Sequence, residues 1–258
     1  MKGLRWMFSA LAVLVAGCSS PAQVFPGGAQ FDYQLGGGYE PPEGVSVVVR
    51  DATDDPAVGM YSICYLNAFQ TQPQAAESWR AAGLLLEVDG RPLADPDWPD
   101  EYLLDTGSAS TREAIAARIA QDILQCAKNG FDAVELDNLD SYGRSNGQLT
   151  FEDNLEVAKM LVKQAHDLGL LVGQKNAAEE SSRLRDIGFD FAVAEQCVEF
   201  DECSTYTIAY GADVLAIEYL EGFGSDDPCE TPDRPTSTIV RDLNLTMPDD
   251  PAYRYMAC

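Results

Sequence analysis

Apolar, β-branched runs alternate with helical periodicity along most of this chain, and that alternation restricts its fold more than any other feature. The runs fall at Val45 to Val49, Tyr61 to Leu66, Ala133 to Leu136, Leu170 to Val172, Phe189 to Val193 and Val214 to Ile217. Weaker ones lie at Phe31 to Leu35, Tyr102 to Leu104 and Thr238 to Leu245. Helical spacing predicts helices over Thr111 to Lys128 and Phe151 to Leu168, each followed by a glycine, Gly130 or Gly169, of the kind that ends helices. Shorter helices are predicted at Gln74 to Ala82, Glu179 to Asp186 and Thr205 to Tyr210. With no internal repeat and no second compositional regime, this order predicts a single α/β domain, a (β/α)8 TIM-type barrel, ahead of a doubly wound open sheet. At 258 residues and 46% apolar content the chain can bury one such core.

The barrel is expected over residues 31–258, because what precedes it reads as an address and a tether. Lys2 and Arg5 stand before an apolar stretch from Trp6 to Ala16, too short to span a bilayer in a mature protein. Val15-Ala16-Gly17-Cys18 resembles a bacterial lipobox, so residues 1–18 are expected to be a cleaved lipoprotein signal, with Cys18 lipidated and the protein anchored to the outer or plasma membrane. Residues 19–30, rich in Ser, Pro and Gly, would form a flexible tether. An ordinary cleaved signal with an incidental Cys18 is the competing reading. Export makes disulfides the natural use of the six remaining cysteines. Cys197 and Cys203 are near enough to clip one loop, and Cys229 with Cys258 would tie down the C-terminus, although spacing leaves the pairing open. Structural zinc has little support, since no CxxC pair occurs and His166 is the only histidine.

Charge narrows the partners. Seventeen basic residues face 42 acidic ones, a net charge of −25 that argues against nucleic acid and favours a cationic ligand. A solubilising acidic surface is the plainer alternative. Nothing in the sequence calls for a cofactor or for a second subunit.

Polar residues accumulate where the predicted strands end: Asp51, Asp105, Glu135-Leu136-Asp137-Asn138 with Asp140 just beyond, Lys175-Asn176, Glu195-Gln196 and Glu218-Tyr219. In a parallel barrel those ends share one face, where such folds hold their chemistry. One carboxylate there is ordinarily a helix cap; six coincident strand ends are harder to explain that way. Two carboxylates facing each other across the mouth suffice for glycosidic cleavage, one as acid and one as nucleophile or base. A serine triad lacks its histidine, because His166 lies within a predicted helix, and no GxSxG elbow or P-loop is present. Gly36-Gly37-Gly38 lacks the spacing for phosphate. A hard-cation site of Glu135, Asp137 and Asp140 is a weaker reading, since alternation puts Asp140 beyond the strand face shared by the other two.

Several of these segments carry a resemblance. Tyr33-Gln34-Leu35, Ile63-Cys64-Tyr65, Trp98-Pro99-Asp100-Glu101 with Leu104-Asp105, GFDAVELDNLDSY from Gly130 to Tyr142, Gly173 to Asn176, FDFAVAEQC from Phe189 to Cys197 and Ile217-Glu218-Tyr219 follow one another as in glycoside hydrolase family 114. The resemblance implies an endo-α-1,4-polygalactosaminidase on a TIM-type barrel. It implies Asp137 and Glu195 as catalytic carboxylates, nucleophile and acid/base of a retaining mechanism. Asp51, Asp105, Glu135, Asn138, Asp140, Lys175, Asn176, Glu218 and Tyr219 would form the supporting, substrate-binding shell. The expected partner is a cationic, partly de-N-acetylated amino-sugar polysaccharide, bound by a monomer. After Tyr65 the chain departs from the family's usual continuation and reads Leu66-Asn67-Ala68-Phe69-Gln70-Thr71. A carbohydrate-binding envelope lipoprotein without turnover is the alternative.

Overall fold

The computed structural model describes residues 23–220 and 227–258. The predicted signal with Cys18, residues 19–22 of the tether, and residues 221–226 lie outside the described residues. Eight parallel strands form the barrel wall: β1 (Phe31–Gln34), β2 (Val47–Asp51), β3 (Tyr61–Asn67), β6 (Ala133–Asp137), β7 (Leu171–Lys175), β8 (Phe191–Glu195), β9 (Val214–Tyr219) and β10 (Ser237–Arg241). A last strand, β11 (Tyr255–Ala257), runs antiparallel along β10. Between β3 and β6 the chain carries helix α1 (Ala76–Ala81), a small hairpin of β4 (Glu87–Val88) and β5 (Arg91–Pro92), and helix α2 (Ala109–Asn129). Helices α3 (Phe151–Asp167), α4 (Ser181–Asp186) and α5 (Cys203–Tyr210) follow β6, β7 and β8.

The helices begin and end for local reasons. Ser108 and Thr150 cap α2 and α3 by accepting from the amides of Thr111 and Asp153, and Gly130 closes α2 in the left-handed conformation at φ 91°. Ile115, Ile119 and Ile123 of α2 and Leu155, Ala158, Leu161 and Val162 of α3 recur at helical spacing. They pack on the outward residues of the strands, including Val134 and Leu136 of β6. A Cys64–Cys126 disulfide ties α2 to β3. The two pairs suggested by spacing, Cys197–Cys203 and Cys229–Cys258, both form.

Two expectations are adjusted. Tyr102 to Leu104 is not a barrel strand; it makes isolated bridges to Gln70, Leu85 and Ala94 in the excursion after β3. Residues 23–30 are not a free tether either, because Phe25 is buried, stacked on Phe191 with ring centroids 4.2 Å apart, and set edge-on to Tyr61. It plugs the end of the barrel opposite the polar rim. Helices are missing from the β1–β2 and β2–β3 connections, whose prolines and glycines break helical periodicity, and Val48 is covered instead by Val45, Ala57, Met60 and Tyr255.

Inside the barrel, residues alternate inward with the pleat. Phe31, Tyr33, Val47, Val49, Ile63, Tyr65, Ala133, Phe191, Val193, Leu215, Ile217 and Ile239 form one interior cluster. Gly173 belongs to this layer: a Cβ there would lie 2.4 Å from the Phe191 ring, so only glycine leaves the ring its place. Between β10 and β1, the seam is bridged by side chains. The Phe31 carbonyl accepts from the Tyr255 hydroxyl at 2.9 Å, and the Tyr33 carbonyl accepts from the buried Arg241 guanidinium.

Candidate active site

At the C-terminal ends of the strands a cavity of about 480 Å³ opens, lined by seven carboxylates and two cations, Arg144 and Lys175. Asp137, Lys175 and Glu195 are the last residues of β6, β7 and β8, each of inward parity, and so converge on its floor. The residue after each of them, Asn138, Asn176 and Gln196, takes a positive φ, of 65°, 61° and 57°. Asn tolerates this conformation better than most residues, whereas Gln196 holds it against preference, as happens at functional sites. The turns stop the strands abruptly and fold Asn176 back, so that its amide donates to Glu195 Oε2 at 3.0 Å.

Lys175 joins the two carboxylates. Its Nζ lies 2.9 Å from Asp137 Oδ2 and 3.2 Å from Glu195 Oε2. Asp137 Oδ2 also accepts from the Tyr65 hydroxyl at 2.6 Å, and its Oδ1 accepts from the Asn138 amide at 2.6 Å. Glu195 Oε1 accepts from the Tyr219 hydroxyl. The Glu195 side chain is 22% exposed to the cavity and that of Asp137 8%, which makes Glu195 the more accessible to water.

Electrostatics follow from these contacts. Burial would raise the Glu195 carboxyl, but Lys175, Tyr219 and Asn176 outweigh it and hold it below the usual range. Burial would likewise strip the proton from Lys175, yet the carboxylates in contact with it, Asp137 and Glu195, keep it firmly an ammonium. Tyr33, Tyr65 and Tyr219 are raised, first by burial and then by neighbouring carboxylates, so their hydroxyls remain donors. Two buried anions around one cation, with polar donors on their remaining lone pairs, can supply both a nucleophile and a proton carrier.

Of the residues expected here, Asp51, Asp137, Asn138, Asp140, Lys175, Asn176, Glu195 and Tyr219 line the cavity, and Asp105, Glu135 and Glu218 do not. Asp105 accepts from the Gly107 amide at 2.9 Å and shapes the turn before α2. Glu218 has outward parity on β9; its Oε1 accepts from the Val198 amide at 2.9 Å and so braces the loop after β8 from behind. Burial pushes its carboxyl up to about 7 against the pull of the Val198 and Glu199 amides. Glu135 points inward but one layer below the floor, fully buried. The acidic trio proposed for a cation is thus dispersed: Glu135 pairs with Tyr33, Asp137 with Lys175 and Tyr65, Asp140 with Arg144. Cys197, Cys203 and Glu218 do come together, but both sulfurs are committed to a disulfide and offer no thiolate. His166 lies on α3 against Asp190, away from the cavity.

Residues not assigned a site role from the sequence complete the wall. Tyr65 stands in the Ile63-Cys64-Tyr65 segment that carries the resemblance, and its position two residues from the end of β3, on the inward face, brings its hydroxyl to Asp137. The altered segment after Tyr65 is wired into the site: Asn67 and Gln70 amides both donate to Glu101 Oε2, at 3.0 and 2.9 Å, and Asn138 donates to Asn67 Oδ1 at 2.8 Å. Arg144 spans Asp95, Asp140 and Asn138. Trp98, 55% exposed, presents its indole to the same cavity.

A family model for glycoside-hydrolase family GH114 matches residues 14–258. The chain belongs to that family. As a GH114 member it is a glycosidase, and its barrel has solved counterparts. It is similar to the crystal structure of Aspergillus fumigatus Ega3 in complex with galactosamine, with a TM-score of 0.73 and 22% identity over 94% of this chain and 100% of that one. It is also similar to the glycoside hydrolase domain of PelA from Pseudomonas aeruginosa, with a TM-score of 0.52 and 17% identity over 85% of this GH114 chain and 96% of that domain. At these identities the likeness speaks for the fold. A search of curated protein sequences finds no match.

Proposed function

We propose that this glycosidase hydrolyses α-1,4-linked, galactosamine-containing polysaccharide by a retaining, two-carboxylate mechanism. The observation that carries this reading is the contact of one ammonium with both Asp137 and Glu195 in an acidic cavity. Both oxygens touch Lys175 Nζ, which holds the two carboxylates close together across the mouth, as a retaining pair needs. In the first step Asp137 attacks the anomeric carbon while Glu195 protonates the departing glycosidic oxygen. In the second, Glu195 takes a proton from water, whose oxygen displaces Asp137 from that carbon. Assigning Glu195 as acid/base is supported by its greater exposure, since it must meet the incoming water.

A galactosamine unit with a free amine is a cation near neutral pH, and seven lining carboxylates favour it over neutral sugars. The galactosamine in the Ega3 complex supports the same sugar here. The lipobox-like Val15-Ala16-Gly17-Cys18 supports placing the enzyme on the cell envelope through lipid on Cys18. One observation favours exchanged roles: Lys175, Tyr219 and Asn176 hold the Glu195 carboxyl below the usual range, as suits a nucleophile.

Reducing-end release from de-N-acetylated polygalactosamine, its N-acetylated form and a neutral galactan tests the substrate. Release is expected from the first at a rate at least about tenfold above the others. Binding without release would instead indicate a carbohydrate-binding protein. Azide rescue assigns the roles by product configuration. With an activated leaving group, azide attacking the glycosyl-enzyme of Glu195→Gln should give the α-glycosyl azide, and azide replacing the nucleophile of Asp137→Asn the β-glycosyl azide; the opposite pattern would exchange the roles.

A further inference from the structure

Asp137 and Glu195 each receive three donors: Tyr65, Lys175 and the Asn138 amide for the first, and Tyr219, Asn176 and Lys175 for the second. Glu135 sits one inward position below Asp137 on β6 and receives one. The Tyr33 hydroxyl donates to its Oε1 at 2.6 Å, and its Oε2 is buried without a partner among the described residues. A carboxylate removed from water is stable when several donors replace its hydration, and a single neutral donor is too few. A protonated carboxyl has no charge to compensate and tolerates that surrounding far better.

We propose that Glu135 is a positioning residue that remains a neutral carboxylic acid, seating Tyr33 and leaving the Lys175 ammonium to Asp137 and Glu195. This rests on the reading of Asp137 and Glu195 as the reacting pair. The Tyr33 ring stands beside the ammonium, 5.5 Å from Nζ, with the Tyr65 ring at 5.0 Å, so seating Tyr33 also shapes the place Lys175 occupies. An ionised Glu135 would put a third anion in the field of one cation and draw the ammonium down, away from the floor. The groups facing Glu135 are Tyr33 on β1, Tyr65 on β3, Asp137 on its own strand, Lys175 on β7 and Glu195 on β8. Burial pushes its carboxyl up to about 8; Lys175 and Tyr33 oppose the rise, and Asp137 and Glu195 reinforce it.

The sign of the effect on stability is fixed by that direction. Below the unfolded carboxyl's value, about 4.3, both states hold the proton. From there to about 8 the folded chain keeps a proton that the unfolded chain gives up, so stability falls as pH rises through this window. Glu135→Gln carries no titrating proton and lacks that slope.

The test compares the full chain with Glu135→Gln in thermal unfolding from pH 5 to 9 and in kcat/KM on de-N-acetylated polygalactosamine. The wild-type midpoint is expected to fall relative to the variant between pH 5 and 8. Its kcat/KM should drop about tenfold more than the variant's between pH 7 and 9, since substrate amines lose charge equally for both. Parallel unfolding curves, or coincident alkaline limbs, would overturn the proposal. Should the variant fail to fold, the Glu135 carboxyl followed by carbon NMR in the wild type decides: a midpoint near 8 supports it and one below about 6 refutes it. A wild type that binds but does not hydrolyse the polymer would defeat the substrate reading alone, because the carboxyl titration would still report on Glu135.

Discussion

Asp137→Asn is expected to lower hydrolysis of de-N-acetylated polygalactosamine by at least about a thousandfold while the fold survives. An amide neither attacks an anomeric carbon nor balances the Lys175 ammonium. Tyr65, Lys175 and the Asn138 amide all donate to the native carboxylate, and Asn offers one accepting oxygen for the three. The loss of binding geometry therefore adds to the loss of the nucleophile. Folding is expected to persist because Asp137 ends its strand at the open rim, above the apolar interior formed by Ile63, Ala133, Phe191 and Val193. Glu195→Gln should cost a similar factor on the polymer, and the double variant little more than either alone, since the two carboxylates act as a unit. Circular dichroism and thermal unfolding alongside the kinetics check the fold; near-native turnover in Asp137→Asn would remove it from the chemistry.

Arg241→Met is expected to destabilise the protein by about 3–5 kcal/mol, the usual cost of removing one partner from a buried ion pair. Arg241 is wholly buried, with Nη1 3.2 Å from Asp32 Oδ1 and donating to the Tyr33 carbonyl. Its Nε donates to the Arg254 carbonyl at 2.9 Å and its Nη2 to the Thr246 carbonyl at 3.0 Å. Met fills similar volume but leaves the Asp32 charge without its cation and three carbonyls without their donor. Tyr255→Phe, which removes one hydrogen bond to Phe31 across the same seam, should cost only about 1 kcal/mol. Urea unfolding of both variants measures the difference; equal, small losses would mean that the seam does not depend on the guanidinium. Activity is expected to fall with Arg241→Met as well, because β1 carries Tyr33 beneath Lys175.

Much of this barrel is readable in the sequence, because burying a strand on both faces demands continuous apolar runs and packing a helix on it demands a stripe. The Val134 and Leu136 side of β6 and the isoleucines of α2 satisfy those demands locally. Period-two alternation also sorts Tyr219 into the barrel and Glu218 out of it, and it places Glu135 below Asp137. Asn138 and Asn176 announce turns, being among the residues that enter the left-handed region with little strain.

What was not legible is long-range. Arg241 and Asp32 are 209 residues apart, and nothing near either one reveals the other. Phe25 stands among Pro, Gly and Ser, so composition marks a tether while one aromatic ring plugs the barrel. Tyr102 to Leu104 has the residues of a strand, but its backbone partners lie in the excursion after β3, which no local pattern specifies. Asp105 ends a run like the other strand-end carboxylates and differs only in which turn it serves.

The most direct test of the central claim is the anomeric form of the first product, followed by proton NMR in the opening minutes of hydrolysis of de-N-acetylated α-1,4-polygalactosamine. Two displacements, by Asp137 and then by water, predict that the new reducing ends appear as the α anomer and mutarotate afterwards. Initial release of the β anomer would contradict the retaining pair of Asp137 and Glu195.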